Sequence, residues 1–589
     1  MRSIKTVVCA VLAALLVAGC TMPLDQLKTN EPAVAGQELT QSLTRAPGDP
    51  KPGFTANVMA PLHVKVYNDK NTLEAKDWTD FEYELQTAKS MGVDAVSVDV
   101  WWGDVEASAD QSFNWSYYDT LFQKIRDAGL KIVPIMSFHQ CGTNVSDDYF
   151  SAIPAWIWGK YQSRGISADD LKYQSETSAF CTEVVSLWAD AYAASQYQEF
   201  MDEFESHYAS YASSFQEINI SCGTAGELRY PSYNAHDWGG YPNRGTLQCY
   251  GRLAREDFSG DMLAKYGSLA GINNAWGTNL TSASQINPPS DPNAFFGNND
   301  YLNIRYGKDL IDWYNQSLKE HGKTMIQAAK AAFNNQLATV PLGIKIPGVH
   351  WMMGSPSMPR AAEVTAGLIQ TSVNYQSSAS GYGYRNLIDT CKNNNREVFL
   401  HFTCLEMNNE NWDPQYSQAQ ALVFWVAAEA AYQNVKIKGE NALPGGVTSD
   451  SGWNNIENAF DWASYTGFTA LRINLVTRNS TGKGRYTSFI AKYAQDTNKV
   501  VVHYKEFQSA SSYTIHCWDG LTGDYEMQYE GYFNNAHWWK VTINNAPSSF
   551  KFCFKNSNNT WDGYNRQYSK QAAEIYATPW NTSVYTSRP

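Results

Sequence analysis

Two glutamates, Glu227 and Glu440, stand in Gly226-Glu227-Leu228-Arg229-Tyr230-Pro231 and Gly439-Glu440-Asn441-Ala442-Leu443-Pro444. Each comes at or just after a short apolar run of strand type. Other polar residues occupy comparable points along the chain. Asp99 ends one run, and His139 ends the next, opening His139-Gln140-Cys141-Gly142-Thr143-Asn144-Val145-Ser146-Asp147. Lys345 and His350 lie at a later run, Thr403 follows another, and Arg472 falls in the last. A polar residue at one strand end means little, and either glutamate alone reads as a solvated or salt-bridged surface group. Converging on one mouth, they would supply two carboxylic acids among cations and hydroxyl donors. That inventory suits cleavage of a glycosidic bond. One carboxyl protonates the leaving oxygen, while the other acts on water or on the sugar through an oxocarbenium-like state.

Something must bring these ends together. Short runs rich in Val, Ile, Leu or Phe alternate with longer helical stretches between residues 57 and 480. The runs are Leu62–Tyr67, Ala95–Val100, Lys131–Phe138, Gln216–Ser221, Leu342–Val349, Glu397–Phe402, Asn434–Lys438 and Gly467–Ile473. Continuous apolar runs are what strands buried on both faces require. Helices are expected between them, for example Trp78–Met91 and Trp115–Ala128. Repeated βα units predict an α/β fold, a (β/α)8 TIM barrel with long loop insertions, the longest between the fourth and fifth strands. A doubly wound sheet is the alternative, but no Gly-rich nucleotide fingerprint follows the first run. In a barrel, reactive groups gather at the carboxyl ends of the strands. From residue 496 to 589 the pattern changes to alternating runs, Val500–Tyr504, Tyr513–Trp518, Trp538–Ile543 and Ser549–Phe554, with Asn, Gly and Ser turns. This predicts a small all-β sandwich.

The blocks Val98-Asp99-Val100-Trp101-Trp102-Gly103, Gly226-Glu227-Leu228-Arg229-Tyr230-Pro231-Ser232-Tyr233, Phe402-Thr403-Cys404-Leu405-Glu406-Met407 and Gly439-Glu440-Asn441-Ala442-Leu443 occur in that order. Together they resemble the signature blocks of the β-amylases, glycoside hydrolase family fourteen, and most closely its bacterial members. The resemblance covers nearly the whole barrel. It implies hydrolysis of α-1,4-glucan from non-reducing ends with inversion, releasing β-maltose. It makes Glu227 the general acid and Glu440 the general base. Inversion needs room for water between the two carboxyls, roughly 6.5–9.5 Å. The resemblance further implies that Asp99, His139 and Asp147 hold terminal glucose units, and that Lys345, His350 and Arg472 position later sugars or the carboxylates. Thr403 would fix Glu440 or the attacking water, Asn441 and Ala442 would line the pocket, and Glu406 would be a structural carboxylate. Catalysis would need no cofactor.

Departures accompany the likeness. Thr143 and Ser146 replace two glycines in the family's loop after His139, which narrows backbone freedom in a lid. Thr224 stands where the family usually has Pro. Bacterial relatives can carry a structural calcium near the loop after the second strand. Glu106 and Asp110 match that segment, Gln111 replaces an Asn, and Glu199 is a further candidate ligand; a solvated acidic loop is the alternative reading. The C-terminal module resembles starch-binding modules of carbohydrate-binding families twenty-five and twenty-six, through Tyr513-Thr514-Ile515-His516-Cys517-Trp518 and Thr560-Trp561-Asp562-Gly563-Tyr564-Asn565. His516, Trp518 and Trp561 would form its stacking platform. At least one of Trp538 and Trp539 is expected in the core, because adjacent strand residues face opposite sides.

Bulk properties agree. The net charge of −13 argues against nucleic acid or an anionic membrane surface as partner. Aromatic residues make up 14% of the chain, with 20 Trp and 36 Tyr, more than a core alone needs and suited to stacking on sugar rings. Arg2 and Lys5 precede an apolar run, Thr6–Leu16, and Val17-Ala18-Gly19-Cys20 resembles a lipobox. Residues 1–19 are therefore expected to be a lipoprotein signal, Cys20 the acylated anchor, 20–56 a flexible tether, 57–495 the catalytic barrel and 496–589 the module. An exported, envelope-anchored monomer acting on starch, amylose or amylopectin follows, touching membrane only through its lipid. Cys9 and Cys20 set aside, eight of the 10 cysteines remain, with Cys517 and Cys553 a candidate disulfide. Two rival functions stay open: a non-catalytic α-glucan-binding lipoprotein, and a retaining barrel glycosidase with carboxyls about 5–5.5 Å apart.

Overall fold

The computed structural model describes residues 48, 50–64, 77–141, 152–240, 243, 245–349, 360–370, 384–392, 395–410, 412, 417–494, 500–543, 546–547, 549–569 and 574–589. Eight parallel strands close into a barrel: β1 Thr55–Met59, β2 Ala95–Trp101, β3 Lys131–Ser137, β4 Ile218–Ile220, β5 Leu342–Ile346, β6 Val398–Phe402, β7 Ile437–Glu440 and β8 Tyr465–Ala470. Each pairs with its neighbours in chain order, and β1 closes the circle on β8, with Thr55 opposite Gly467. Every residue of β2 is buried, as a strand between the barrel interior and the helical layer must be.

Helix boundaries follow local chemistry. The helix Trp78–Met91 starts at Asp77, whose carboxylate accepts the Asp80 N–H at 2.9 Å. It stops at Gly92, whose φ of 92° is the left-handed conformation a glycine reaches without strain. Between these caps Phe81, Leu85, Ala88 and Met91 recur at helical spacing and are all buried.

The first strand corrects the expectation from sequence. It is Thr55–Met59, not Leu62–Tyr67, so the barrel begins inside the segment expected to be tether. Residues 62–64 form no strand, and 65–67 lie outside the described residues. Asn57 hid the strand, since a lone amide argues against a buried strand. Here its side-chain N–H donates to Gln216 Oε1 at 2.9 Å within the barrel. The seventh strand also starts later than expected. Asn434 adopts φ 59°, a turn conformation just beyond the helix Ala419–Tyr432, so pairing begins only at Ile437. Inside the barrel a charged cluster replaces apolar filling. Glu217 takes His401 Nε2 and Lys438 Nζ, at 2.5 and 2.6 Å. Burial opposes its ionisation, but the charges on Lys438 and His401 outweigh this and hold its carboxyl at about 2.

The C-terminal residues form a mostly antiparallel sandwich: β9 Val500–Lys505, β10 Tyr513–Trp518, β11 Gly523–Phe533, β12 Ala536–Ile543, β13 Phe550–Asn556, β14 Arg566–Tyr568 and β15 Glu574–Ala577. β11 joins the halves. Its first part pairs with β10 and its second with β12, with a register shift between Tyr529 and Gly531. Along β10, Tyr513, Ile515 and Cys517 are buried, while Thr514, His516 and Trp518 face outward. Trp538 and Trp539 are both buried, because each side of β12 is covered: Trp539 joins the main core, while Trp538 packs with Ala536 and Tyr576. Cys517 and Cys553 are unpaired. Cys553 stands opposite His516 and Cys517 opposite Phe552, so the two thiols lie on opposite faces of the sheet and cannot bond. Among the described residues, Cys181, Cys222, Cys249, Cys391 and Cys404 are also free thiols.

Candidate active site

At the carboxyl ends of the barrel strands lies a cavity of about 460 Å³. Asp99, His139, Glu227, Lys345, Thr403, Glu440, Asn441, Ala442 and Arg472, each singled out from sequence, all line it. Asp147, His350, Thr143 and Ser146 lie outside the described residues.

Glu227 reaches the cavity through the tight turn 223–226 after β4. Gly223 permits this turn by close approach: a Cβ there would lie 2.5 Å from the Glu227 carbonyl oxygen and 2.7 Å from that of Arg229. Leu228 N–H donates to Lys345 O at 2.8 Å, which ties the segment to β5. Tyr230 then stacks on Tyr314 of the helix Arg305–Ala332, with centroids 3.8 Å apart, and its hydroxyl donates to Tyr314 O. Such a pair adds about 0.5–1.5 kcal/mol beyond its buried area. It anchors the loop three residues beyond the carboxyl.

The Glu227 side chain is 16% exposed, and its Oε2 accepts Arg229 Nε–H at 2.7 Å. Burial pushes its pKa up. Arg229 opposes this, and the charge on Glu440 adds to the rise. Arg229 is itself held, donating to Asn234 Oδ1 at 2.8 Å and to Tyr230 O at 3.1 Å, with its guanidinium 4.2 Å from the Tyr233 ring centre.

Glu440 ends β7 and pairs with Lys345 Nζ at 2.9 Å. Burial works against the charge on Lys345, but Glu440, then Asp99 and Glu227, more than compensate and raise its pKa. The backbone after Glu440 is pinned from two sides. Glu406 accepts the Ala442 N–H with both oxygens, at 3.0 Å each, and the Leu443 N–H at 2.7 Å. Asn441 exchanges hydrogen bonds with the N–H and carbonyl of Leu471 and donates to Leu443 O. Glu406 therefore braces the loop, as its structural assignment anticipates.

Asp99 accepts from Ser137 Oγ at 2.8 Å. His139 Nδ1 and Ser221 Oγ share a hydrogen bond of 2.8 Å. Burial, then the charges of Lys345 and Arg229, lower the His139 pKa to about 3, so the ring is neutral at ordinary pH. Thr403 Oγ1 accepts the Gly348 N–H at 2.8 Å, and Arg472 Nη1 donates to Ala60 O at 2.8 Å. Arg229, Glu183, Asn219 and Asn234 also line the cavity but received no role from sequence. The signal for Arg229 was its place two residues after Glu227 in the same block.

The expected calcium ligands are not a cation cage as placed. Glu106 is committed to Trp102 Nε1–H and the Gln111 N–H, and Asp110 is paired with Lys160. Glu199 accepts from Gln196. Among the described residues these three carboxylates do not gather to within metal-sharing distance. The ammonium of Lys160, 5.1 Å from the Trp156 ring centre, already supplies positive charge there.

In the module, His516 stacks near Trp518 with centroids 5.7 Å apart, and meets Trp561 edge-on at 5.5 Å. Trp561 is 42% exposed. The three rings therefore share one open face.

A closed eight-stranded barrel whose cavity is lined by two carboxyls among cations and hydroxyls fits a glycoside hydrolase of the barrel class. Residues 57–499 match the model of Glycosyl hydrolase family 14, and the chain belongs to that family. It is 36% identical over 535 residues to a "Beta-amylase" of Niallia circulans, covering 87% of this chain and 85% of that protein. It is 37% identical over 550 residues to a "Beta/alpha-amylase" of Paenibacillus polymyxa. That match covers 90% of this chain but only 42% of the longer relative. The crystal structure of the catalytic domain of beta-amylase from Paenibacillus polymyxa superposes with a TM-score of 0.64 at 38% identity, covering 75% of this chain and 98% of that one.

Proposed function

We propose that the protein is a β-amylase that hydrolyses α-1,4-glucan from non-reducing ends with inversion, releasing β-maltose. The observation that carries this reading is the contrast between the two carboxyls in one cavity. Glu227 is pushed toward its protonated form by burial, whereas Glu440 sits against the Lys345 ammonium. One is placed to give a proton and the other, against a cation, to take one, the division of labour that a single displacement needs.

In this account Arg229 holds Oε2 of Glu227 and leaves the other oxygen to donate its proton to the glycosidic oxygen. Glu440 takes a proton from water as that water attacks the anomeric carbon from the opposite face. Lys345, 2.9 Å from its Oε2, holds the Glu440 carboxyl in place for this. Asp99 and neutral His139 accept or share hydrogen bonds with sugar hydroxyls, and Arg472 and Thr403 bound the remaining wall. Glu227→Gln and Glu440→Gln should each abolish turnover of amylose while binding to insoluble starch persists. Substantial activity in either variant would overturn the assignment.

Starch binding belongs in this proposal to the His516, Trp518 and Trp561 face of the module. Export and anchoring rest on the lipobox-like Val17-Ala18-Gly19-Cys20. Metabolic labelling with radioactive palmitate should mark the protein, and Cys20→Ala should remove the label; a labelled Cys20→Ala variant would refute the anchor.

A further inference from the structure

Cys181 and His236 take no part in the hydrolysis described above, yet with Glu183 they form a cluster beside the cavity. They come from two loops. Cys181 ends a small hairpin, Tyr173–Gln174 with Phe180–Cys181, in the connection between β3 and β4, and Glu183 follows it. His236 lies in the connection after β4, a few residues beyond Tyr233. One ligand atom from each residue, a thiol sulfur, a carboxylate oxygen and an imidazole nitrogen, lies within 4.8 Å of the other two. All three are enclosed: Cys181 is 0% and Glu183 8% exposed, and the His236 side chain 9%.

The histidine is presented in a telling way. His236 Nε2 faces Gln248 Oε1 at 3.1 Å, while Nδ1 is buried with no hydrogen-bond partner. The Gln248 amide nitrogen is used by the Thr246 hydroxyl at 2.7 Å and the Thr246 carbonyl at 3.3 Å. Its oxygen is therefore fixed toward the ring and takes the Nε2 proton, which leaves a lone pair at Nδ1. Ligating histidines are oriented in this manner, with the second nitrogen donating to an outer carbonyl.

We propose that Cys181, Glu183 and His236 form a binding site for a divalent transition metal of the zinc class. Thiolate, carboxylate and imidazole are ligands that such an ion accepts together, whereas calcium and magnesium take oxygen. Three protein ligands leave a fourth position for water. The charges balance. One thiolate and one carboxylate neutralise the doubly charged ion, so the filled site is neutral, and the Cys181 proton leaves to solvent as the metal enters. The site connects to the cavity. Glu183 lines it and takes an Asn234 N–H; Asn234 accepts from Arg229, and Arg229 donates to Glu227.

The test is a titration of Co2+ into chelator-treated full-length protein, followed by near-ultraviolet thiolate-to-cobalt absorption and by metal analysis after dialysis. The expected result is one bound Co2+ per chain, a thiolate band that Zn2+ displaces, and release of a proton. Cys181→Ser should remove the band, and His236→Ala should weaken Co2+ binding by at least about tenfold. Far-ultraviolet circular dichroism without metal checks that each variant folds, and either variant serves if the other does not. Absence of the band in the unaltered protein would overturn the proposal. So would a band that survives Cys181→Ser, since it would place the thiolate elsewhere, for example at Cys141 in the cavity wall.

Discussion

Replacing Glu406 by glutamine is expected to remove a pH-dependent loss of stability while leaving turnover measurable. The Glu406 side chain is enclosed, with only 6% of the residue exposed. Burial pushes its carboxyl up to about 7 from the ordinary 4.5. The N–H groups of Leu443 and Ala442 pull the other way, and the charge on Glu440 adds to the rise. A carboxyl whose folded pKa lies above its unfolded one binds its proton more tightly in the native state. Its contribution is complete below about pH 4.5 and is lost as pH rises through about 7. At ~1.36 kcal/mol per pH unit, that window corresponds to about 3 kcal/mol. A glutamine does not titrate, so the stability of the unaltered protein relative to Glu406→Gln should fall by about this much across the window. Urea unfolding of both proteins, followed by tryptophan fluorescence at several pH values from 4.5 to 8, measures the difference. Parallel stability profiles would refute the reasoning. Loss of activity as complete as in Glu440→Gln would refute it differently, by placing Glu406 in the chemistry rather than in the brace under Ala442 and Leu443.

Three further outcomes follow from the site. Lys345→Met removes the cation 2.9 Å from Glu440; breaking a buried pair costs about 3–5 kcal/mol of stability. The same change should depress kcat/KM, because Glu440 loses the ammonium that holds its carboxyl in place; an unchanged kcat/KM would contradict that role. Trp561→Ala should lower retention on insoluble starch while leaving kcat on a short maltooligosaccharide unchanged; unchanged retention would place the starch platform elsewhere. Calcium added to EGTA-treated protein should leave the melting temperature where it was, because Lys160 already pairs with Asp110; a rise with calcium would restore the cation reading of Glu106, Asp110, Gln111 and Glu199.

The barrel was legible because its strands are buried on both sides and so appear as apolar runs. It was misread where a polar side chain finds a partner inside. Asn57 satisfies Gln216 and hid the first strand, and the apolar residues from Leu62 onward drew attention instead. Glu227 and Glu440 were visible through their blocks and their strand-end positions. The network around them was not. The hold of Glu406 on Ala442 and Leu443 spans 36 and 37 residues of sequence, and Asn441 reaches across 30 to Leu471. Such pairings depend on how loops meet in space, and no local pattern encodes them. Arg229 was in view from the start, but only its geometry shows that it fixes one Glu227 oxygen and is itself fixed by Asn234. In the module, alternation along Tyr513–Trp518 correctly separated core from face. Trp538 and Trp539 obey the same rule, facing opposite sides of a strand that is covered on both, so both are buried.

Under the proposed function, Glu227 and Glu440 act as acid and base in a single inverting displacement. Incubating the protein with amylose and following the first product by proton NMR tests it most directly, before mutarotation mixes the anomers. β-Maltose is the expected initial product. The α-anomer would contradict it and indicate a retaining mechanism, and no product would indicate a barrel that binds α-glucan without cutting it.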